Sequence, residues 1–342
     1  MPRRPTLSAV TPWITEEALR HPETLAERLA ERLQVGRRTA RRRLDELVDA
    51  QWLVSTGTPR RPRHAPGLLR EVVRRYPLAG VDEHTAWARD FAPCVALPAE
   101  LARIAQHAFT ELVNNAIDHS GGTQVVVSMR QTASHLQLLV SDDGCGLYVR
   151  IGQCFGIEDP TRATLELAKG KLSSQPERHS GRGLYFVARL ADVLDLHANR
   201  HAFQRRTWDG GRWHATRAAA DRGTSVFVGI ALDTPRRVDE VLRSHSLQGD
   251  GYAFECTRVP LQLLTGTQTG LESRAQARLA AERLARFARA ELDFDGIDAV
   301  GHGFADELFR VFARAHPGTA LVPVRAAPRV EAMIDAVRRD AA

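Results

Sequence analysis

Three short segments occur in a fixed order along this chain of 342 residues. They are Glu111-Leu-Val-Asn-Asn115-Ala-Ile-Asp118-His119, Asp142-Asp-Gly144-Cys-Gly146-Leu147 and Gly181-Arg-Gly183-Leu184. The apolar positions Leu101, Ile104, Ala108, Leu112 and Ala116 recur at helical spacing, so a long helix is predicted from near Pro98 until Gly121-Gly122 stops it. Glu111, Asn115 and Asp118 fall at steps of four and three, which puts them together on another face of that helix. Residues 124–130 and 135–141 read as strands joined by a polar turn, so the second segment is a loop at a strand end. The third segment opens a helix over 183–191, and Gly223-Thr224 leads into a strand over 224–230. Residues 147–180 have no clear period, carry Gly152, Gly156 and Gly170, and are read as a flexible stretch. Helix, two strands, loop, helix and strand predict an α+β sandwich.

These residue types suit a nucleotide triphosphate with its metal. A carboxylate at a strand end, Asp142, can accept an adenine amino group, while Gly144 and Gly146 let backbone approach the ring. The Asn115 amide oxygen is a neutral, hard ligand for magnesium that leaves the phosphates to fill other positions. Gly181 and Gly183 open a helix N-terminus, whose N–H groups bind phosphate oxygens. Thr224 can bond adenine or its linked water, and Glu111, one turn before Asn115, can orient a water or an acceptor hydroxyl. Residues 98–231 resemble the ATPase domain shared by gyrase and histidine kinases, the GHKL superfamily with its Bergerat fold. Glu111-x-x-x-Asn115-Ala resembles its first box, Asp142-x-Gly144-x-Gly146 its second, Gly181-x-Gly183-Leu184 its third and Gly223-Thr224 its closing element. The resemblance implies ATP and Mg2+ as cofactors and Glu111 as the catalytic base. It also implies that residues 147–180 are an ATP lid, from which Lys169, Lys171 and Arg178 reach phosphates on closure. Asn115-Ala-Ile-Asp-His119 looks closer to the anti-sigma-factor serine kinases than to gyrase, with His119 itself read as a core or backbone-bonded residue.

The charge is uneven. Residues 1–65 hold thirteen arginines against eight carboxylates, +5 of the chain's +6, which suggests an anionic partner for that segment. Leu25, Leu29 and Leu33 mark one helix, Gln34-Val-Gly36 breaks it, and residues 37–50 resume with Ala40, Leu44, Leu47 and Val48 on one side. Arg37, Arg38, Arg41 and Arg42 lie toward the other, and a basic hairpin with Arg60 and Arg61 follows. That order is the plan of a winged helix-turn-helix, in which the second helix enters a major groove and the arginines neutralise phosphates or fork onto guanine edges. The alternatives are a solvated basic face on a small helical bundle and a protein-docking domain. Residues 68–95 read as helical and carry no site signal.

From about residue 250 strands and helices alternate. Ser273-x-x-Gln276 is a capping box for a helix to residue 290, and strands over 291–294 and 320–324 alternate with helices over 304–315 and 328–339. Leu292-Asp-Phe-Asp-Gly-Ile-Asp-Ala-Val-Gly-His302-Gly-Phe resembles a STAS-like domain. Such domains are phosphorylated on Ser or Thr in the strand-to-helix loop, where this chain has Val300-Gly-His302-Gly303 and no hydroxyl.

The reading is an α+β multidomain chain: a winged helix over 1–66, a helical linker over 67–97, a Bergerat-fold α/β sandwich over 98–234 and a small STAS-like α/β domain over 250–342. It predicts a regulator of double-stranded DNA switched by Mg-ATP, with a protein partner at the STAS-like domain and a homodimer as the prior for such DNA readers. The alternative is an anti-sigma-type Ser/Thr kinase; the resemblance implies an ATPase or a protein kinase, with a switch worked by ATP binding alone left open beside them. Four scattered cysteines, no apolar run of about 18 residues and no apolar leader after Met1-Pro-Arg-Arg-Pro predict a cytoplasmic protein without a membrane span.

Overall fold

The computed structural model describes residues 7–58, 61–173, 180–218, 221–265 and 270–340. It comprises two compact units, 1–144 with 225–235 and 145–224 with 236–342. Along the chain, helices α1 (Thr11–Arg20), α2 (Leu25–Leu33) and α3 (Arg37–Asp49) precede strands β1 (Leu53–Thr58), β2 (Arg61–Pro66) and β3 (Arg70–Pro77). A short helix α4 (Glu83–Ala86) leads to the long α5 (Ala99–His119) and strands β4 (Gln124–Gln131) and β5 (His135–Asp142). Helices α6 (Leu147–Phe155), α7 (Pro160–Lys169) and α8 (Gly183–Leu190) follow, then strands β6 (Val193–Ala198), β7 (His201–Arg206), β8 (Trp213–Thr216) and β9 (Thr224–Ala231). The remainder runs α9 (Val238–Arg243), β10 (Cys256–Pro260), β11 (Gly270–Leu271), α10 (Arg274–Ala281), β12 (Arg289–Asp293), β13 (Ala299–Val300), α11 (His302–Asp306), α12 (Ala313–Ala315), β14 (Ala320–Val324) and α13 (Pro328–Arg339).

In the first unit, α1, α2 and α3 bury one apolar stripe each. Trp13, Ile14, Leu25, Leu29, Ala40, Leu44, Leu47 and Trp52 form a single cluster. The turn between α2 and α3 uses Gln34 at φ 55°, a left-handed cap that ends α2. β1 and β2 pair antiparallel as a hairpin, from Leu53 with Pro66 to Thr58 with Arg61. Helix α1 rests on β3: the Thr15 hydroxyl accepts from the Glu71 N–H at 3.2 Å, and Arg74 ion-pairs with Glu16. β3, β4, β5 and β9 form an antiparallel sheet in that order. Helix α5 packs on β5, its predicted stripe of Leu101, Ile104, Ala108, Leu112 and Ala116 fully buried.

The helix expected over 68–95, and with it the helical linker over 67–97, is overturned at residues 70–77, which are an edge strand. Arg70, Glu71, Arg74 and Arg75 spoil any visible alternation. The buried Val72 and Tyr76 stand four apart, which mimics a helical step although both belong to one strand face. The Tyr76 hydroxyl donates to the buried Asp90 at 2.7 Å.

In the second unit, β6, β7 and β8 form an antiparallel ribbon. β10, β12 and β14 are parallel in that order, with helical crossovers between them, as parallel pairing demands. Val259, Ala277, Leu292, Phe294, Phe304, Leu308, Val330 and Ile334 make its core. Two expectations are corrected here, and one set of strands is new. Residues 147–169 hold α6 and α7 in place of a flexible stretch. The helix from Ser273 ends at Ala281, because Glu282 leaves the helical region and Arg283 turns left-handed at φ 62°. β6 to β8 were not anticipated, although Val193, Leu194 and Leu196 carry a strand pattern. Among the described residues no helix is long and apolar enough to cross a membrane.

Candidate functional site

The first unit carries the first box and the start of the second. Glu111, Asn115 and Asp118 are half-buried along α5, beside its apolar stripe. Among the described residues the Glu111 and Asn115 side chains have no hydrogen-bond partner, so the carboxylate and the amide oxygen remain available as ligands. Helix α5 ends against the second box. The Ser120 hydroxyl donates to Ala116 O at 2.6 Å and accepts from the Gly122 N–H at 3.0 Å. A Cβ on Gly144 would lie 2.2 Å from the Ser120 carbonyl oxygen, so only glycine lets the loop press on the helix end.

The two adjacent aspartates at the end of β5 are separated in role. Asp143 accepts from the N–H groups of Thr123 and Gln124 at 2.7 and 2.9 Å and from the Thr123 hydroxyl at 2.6 Å. The Thr123 hydroxyl first, then the two N–H groups, hold its carboxyl down to about 2. Asp143 is thus a staple for the start of β4, a part the sequence reading did not give it. Asp142 is half-buried, and one of its oxygens accepts from the Gly144 N–H at 2.9 Å, a turn-closing bond that also fixes its carboxylate.

The second unit carries Gly146, Gly181, Gly183 and Leu184, with Thr224 at the start of β9. Gly146 has φ 87° and precedes α6. Gly181 has φ 66°, and a Cβ there would meet the Leu172 backbone at 2.6 Å. Gly183 and Leu184 begin α8, whose N-cap residue Arg182 makes no side-chain cap, and the leading N–H groups of such a helix are the donors an anion requires. Thr224 is half-buried after Gly223, itself at φ 71°. A cavity of about 500 Å³ adjoins the third box, lined by Lys171, Arg182, Tyr252, Phe254, Glu255 and Arg286.

The lysines expected to reach phosphates are otherwise engaged. Lys169, only 1% exposed, donates to Glu166 at 2.6 Å and to the carbonyls of Leu279 and Glu282 at 2.9 and 3.1 Å, which uses all three ammonium hydrogens. Burial pushes its pKa down; the Glu166 carboxylate opposes this. Glu166, with 0% exposure, also ion-pairs with Arg283. The Lys169 carbonyl accepts from the Thr257 hydroxyl at 2.6 Å, and Arg162 reaches Glu282 at 2.7 Å. Lys169 is therefore a packing residue joining α7 to the C-terminal segment. Lys171 donates to Arg286 O at 2.6 Å and lies 4.2 Å over the Phe287 ring, yet still borders the cavity. Arg178 lies outside the described residues.

In the N-terminal module, Arg37, Arg38, Arg41 and Arg42 are exposed on α3, opposite the buried Ala40, Leu44 and Leu47. Arg42 pairs with Glu46 at 3.6 Å; among the described residues Arg37, Arg38 and Arg41 have no ion-pair partner. Arg61 is exposed on the hairpin, and Arg60 lies outside the described residues. In the C-terminal domain Ser273 and Gln276 form the expected capping box, and exposed His302 is the first residue of α11.

Residues 77–208 match the model of the histidine kinase-like ATPase domain, and residues 277–330 match that of a STAS-like domain of unknown function. No curated protein matches the chain.

Proposed function

We propose that this chain is a regulatory protein that binds Mg-ATP at its histidine kinase-like ATPase domain and duplex DNA at its N-terminal module. The observation that carries the nucleotide reading is the conjunction, inside one ATPase-family match, of an available amide on α5, a fixed carboxylate at the end of β5 and an uncapped glycine-led helix. Asp142 receives the adenine amino group. The N–H groups led by Gly181 and Gly183 take the phosphates, and the cationic cavity beside them supports that placement. Asn115 fits magnesium because its neutral oxygen is half-buried and not committed to another partner among the described residues. The metal neutralises phosphate charge when bound. Glu111 lies one helical turn away, where a carboxylate orients the attacking hydroxyl or water. Thr224 adds a hydroxyl at the adenine edge.

DNA binding is supported by the element order α1, α2, α3 and hairpin, the order of a winged helix-turn-helix, together with the exposed arginines of α3. Nucleotide occupancy then sets DNA or partner binding. Calorimetry with a nonhydrolysable ATP analogue and magnesium tests the first step: the parent chain gives a binding isotherm, and Asn115→Ala weakens it by about a hundredfold. A parent chain without nucleotide heat removes the proposal.

A second reading, a Ser/Thr kinase of the anti-sigma type, is favoured by the STAS-like neighbour of the ATPase domain. Transfer of label from γ-labelled ATP to protein supports it, free phosphate alone supports hydrolysis, and neither leaves the binding switch.

A further inference from the structure

We infer that Asn199 is a positioning residue for the nucleotide site, holding the Cys145-Gly146 turn in the form that adenine requires. The inference rests on the ATP reading above. Asn199 and Arg200 are the two residues of the turn between β6 and β7, closed by the pair Ala198 and His201, with φ 50° and 67°. Two consecutive left-handed residues give the hairpin turn that matches strand twist, and asparagine adopts that conformation more readily than most residues. The backbone therefore presents the Asn199 side chain from a rigid corner.

That side chain engages the second box in three ways. Its Nδ2 donates to the Cys145 carbonyl at 2.8 Å, and its Oδ1 accepts from the Val149 N–H at 3.2 Å. Val149 is the third residue of α6, and Gly146, at the N-cap position, has no side chain to satisfy that donor. Asn199 supplies from another strand what an N-cap side chain usually supplies locally. The third is steric: a Cβ on Gly146 would lie 2.4 to 2.7 Å from the Asn199 carboxamide atoms. Glycine at 146 thus serves two needs, the φ of 87° and the space that the carboxamide fills. Buried Tyr148 adds a second fastening, its ring 5.9 Å edge-on to His201 and 6.1 Å from Phe203 on β7. The glycine box is therefore held from outside by one amide that both donates and accepts.

Two variants test this by calorimetry with magnesium and a nonhydrolysable ATP analogue. Asn199→Gly removes the carboxamide while glycine accepts the left-handed backbone. It should weaken nucleotide binding about tenfold, the equivalent of two ordinary hydrogen bonds, with the melting temperature changed by only a few degrees. Asn199→Asp keeps the acceptor for Val149 and, when ionised, has no hydrogen for Cys145 O. Its deficit relative to the parent should be large at pH 7 and shrink toward pH 4, the ordinary carboxyl range, as protonation restores an O–H donor. A purely structural role would show no such convergence. Parent-like binding by both variants, or an Asn199→Asp deficit independent of pH, overturns the inference and leaves the ATP reading standing. A parent chain that binds no nucleotide overturns both.

Discussion

Replacing Glu166 by glutamine should destabilise the second unit by about 3–5 kcal/mol, the range for removing one member of a buried ion pair. Glu166 and Lys169 have 0% and 1% exposure, and Arg283 takes the other carboxylate oxygen. The substitution keeps the shape but leaves an ammonium and a guanidinium facing a neutral amide where water cannot compensate them. Partial relief comes from the Leu279 and Glu282 carbonyls at 2.9 and 3.1 Å, which still accept from Lys169. The double variant Glu166→Gln with Lys169→Met removes the stranded ammonium and fills its apolar slot, so it should recover at least half of the loss. Urea unfolding of the full chain, followed by tryptophan fluorescence and circular dichroism, measures both. A single variant within about 0.5 kcal/mol of the parent, the span of an ordinary surface change, would refute the reasoning. So would a double variant no more stable than the single one.

Two further outcomes are expected. Arg38→Ala with Arg41→Ala should weaken duplex DNA binding for all sequences and flatten the log affinity against log salt slope by about 2, one for each phosphate no longer neutralised; gel shifts across a salt series measure it, and an unchanged slope would sink the phosphate assignment. His245 lies edge-on to Tyr185 at 5.3 Å and Phe186 at 5.2 Å, and burial, reinforced by Arg189, pushes its pKa down to about 4. Because the unfolded histidine takes its proton near 6.5, folded-state stability should fall by about 3 kcal/mol as pH drops from 6.5 to 4. His245→Phe should flatten that part of the profile of unfolding free energy against pH, and an unchanged slope would rule out His245 as its source.

Legibility followed the physics of each segment. The stripe of α5, the glycine boxes and the capping box at Ser273 could be read directly, because each rests on local spacing or local φ. The helix α7 could not, since Glu166 and Lys169 count as solvent-facing residues in any polarity pattern, whereas here they neutralise each other inside. The end of α10 was invisible for a related reason: Arg283 takes a left-handed conformation without the glycine that usually announces one. Asp142 and Asp143 are the same residue type side by side, and only the fold assigns one to Thr123 and leaves the other at the loop. Asn199 carried a weak signal, an Asn-Arg turn between two alternating runs, but its target lies 54 residues away in sequence.

The burial of Lys169 bears on how such a gene can be cut and recombined. Severing the chain before β10 would strip Thr257, Leu279 and Glu282 from this lysine and Arg283 from Glu166, leaving α7 with an ion pair built for burial and opened to water. The piece that can be exchanged between relatives is therefore not 250–342 alone. A graft of the C-terminal domain must bring residues 160–171 with it, or a matching pair at 166 and 169, to yield a folded hybrid.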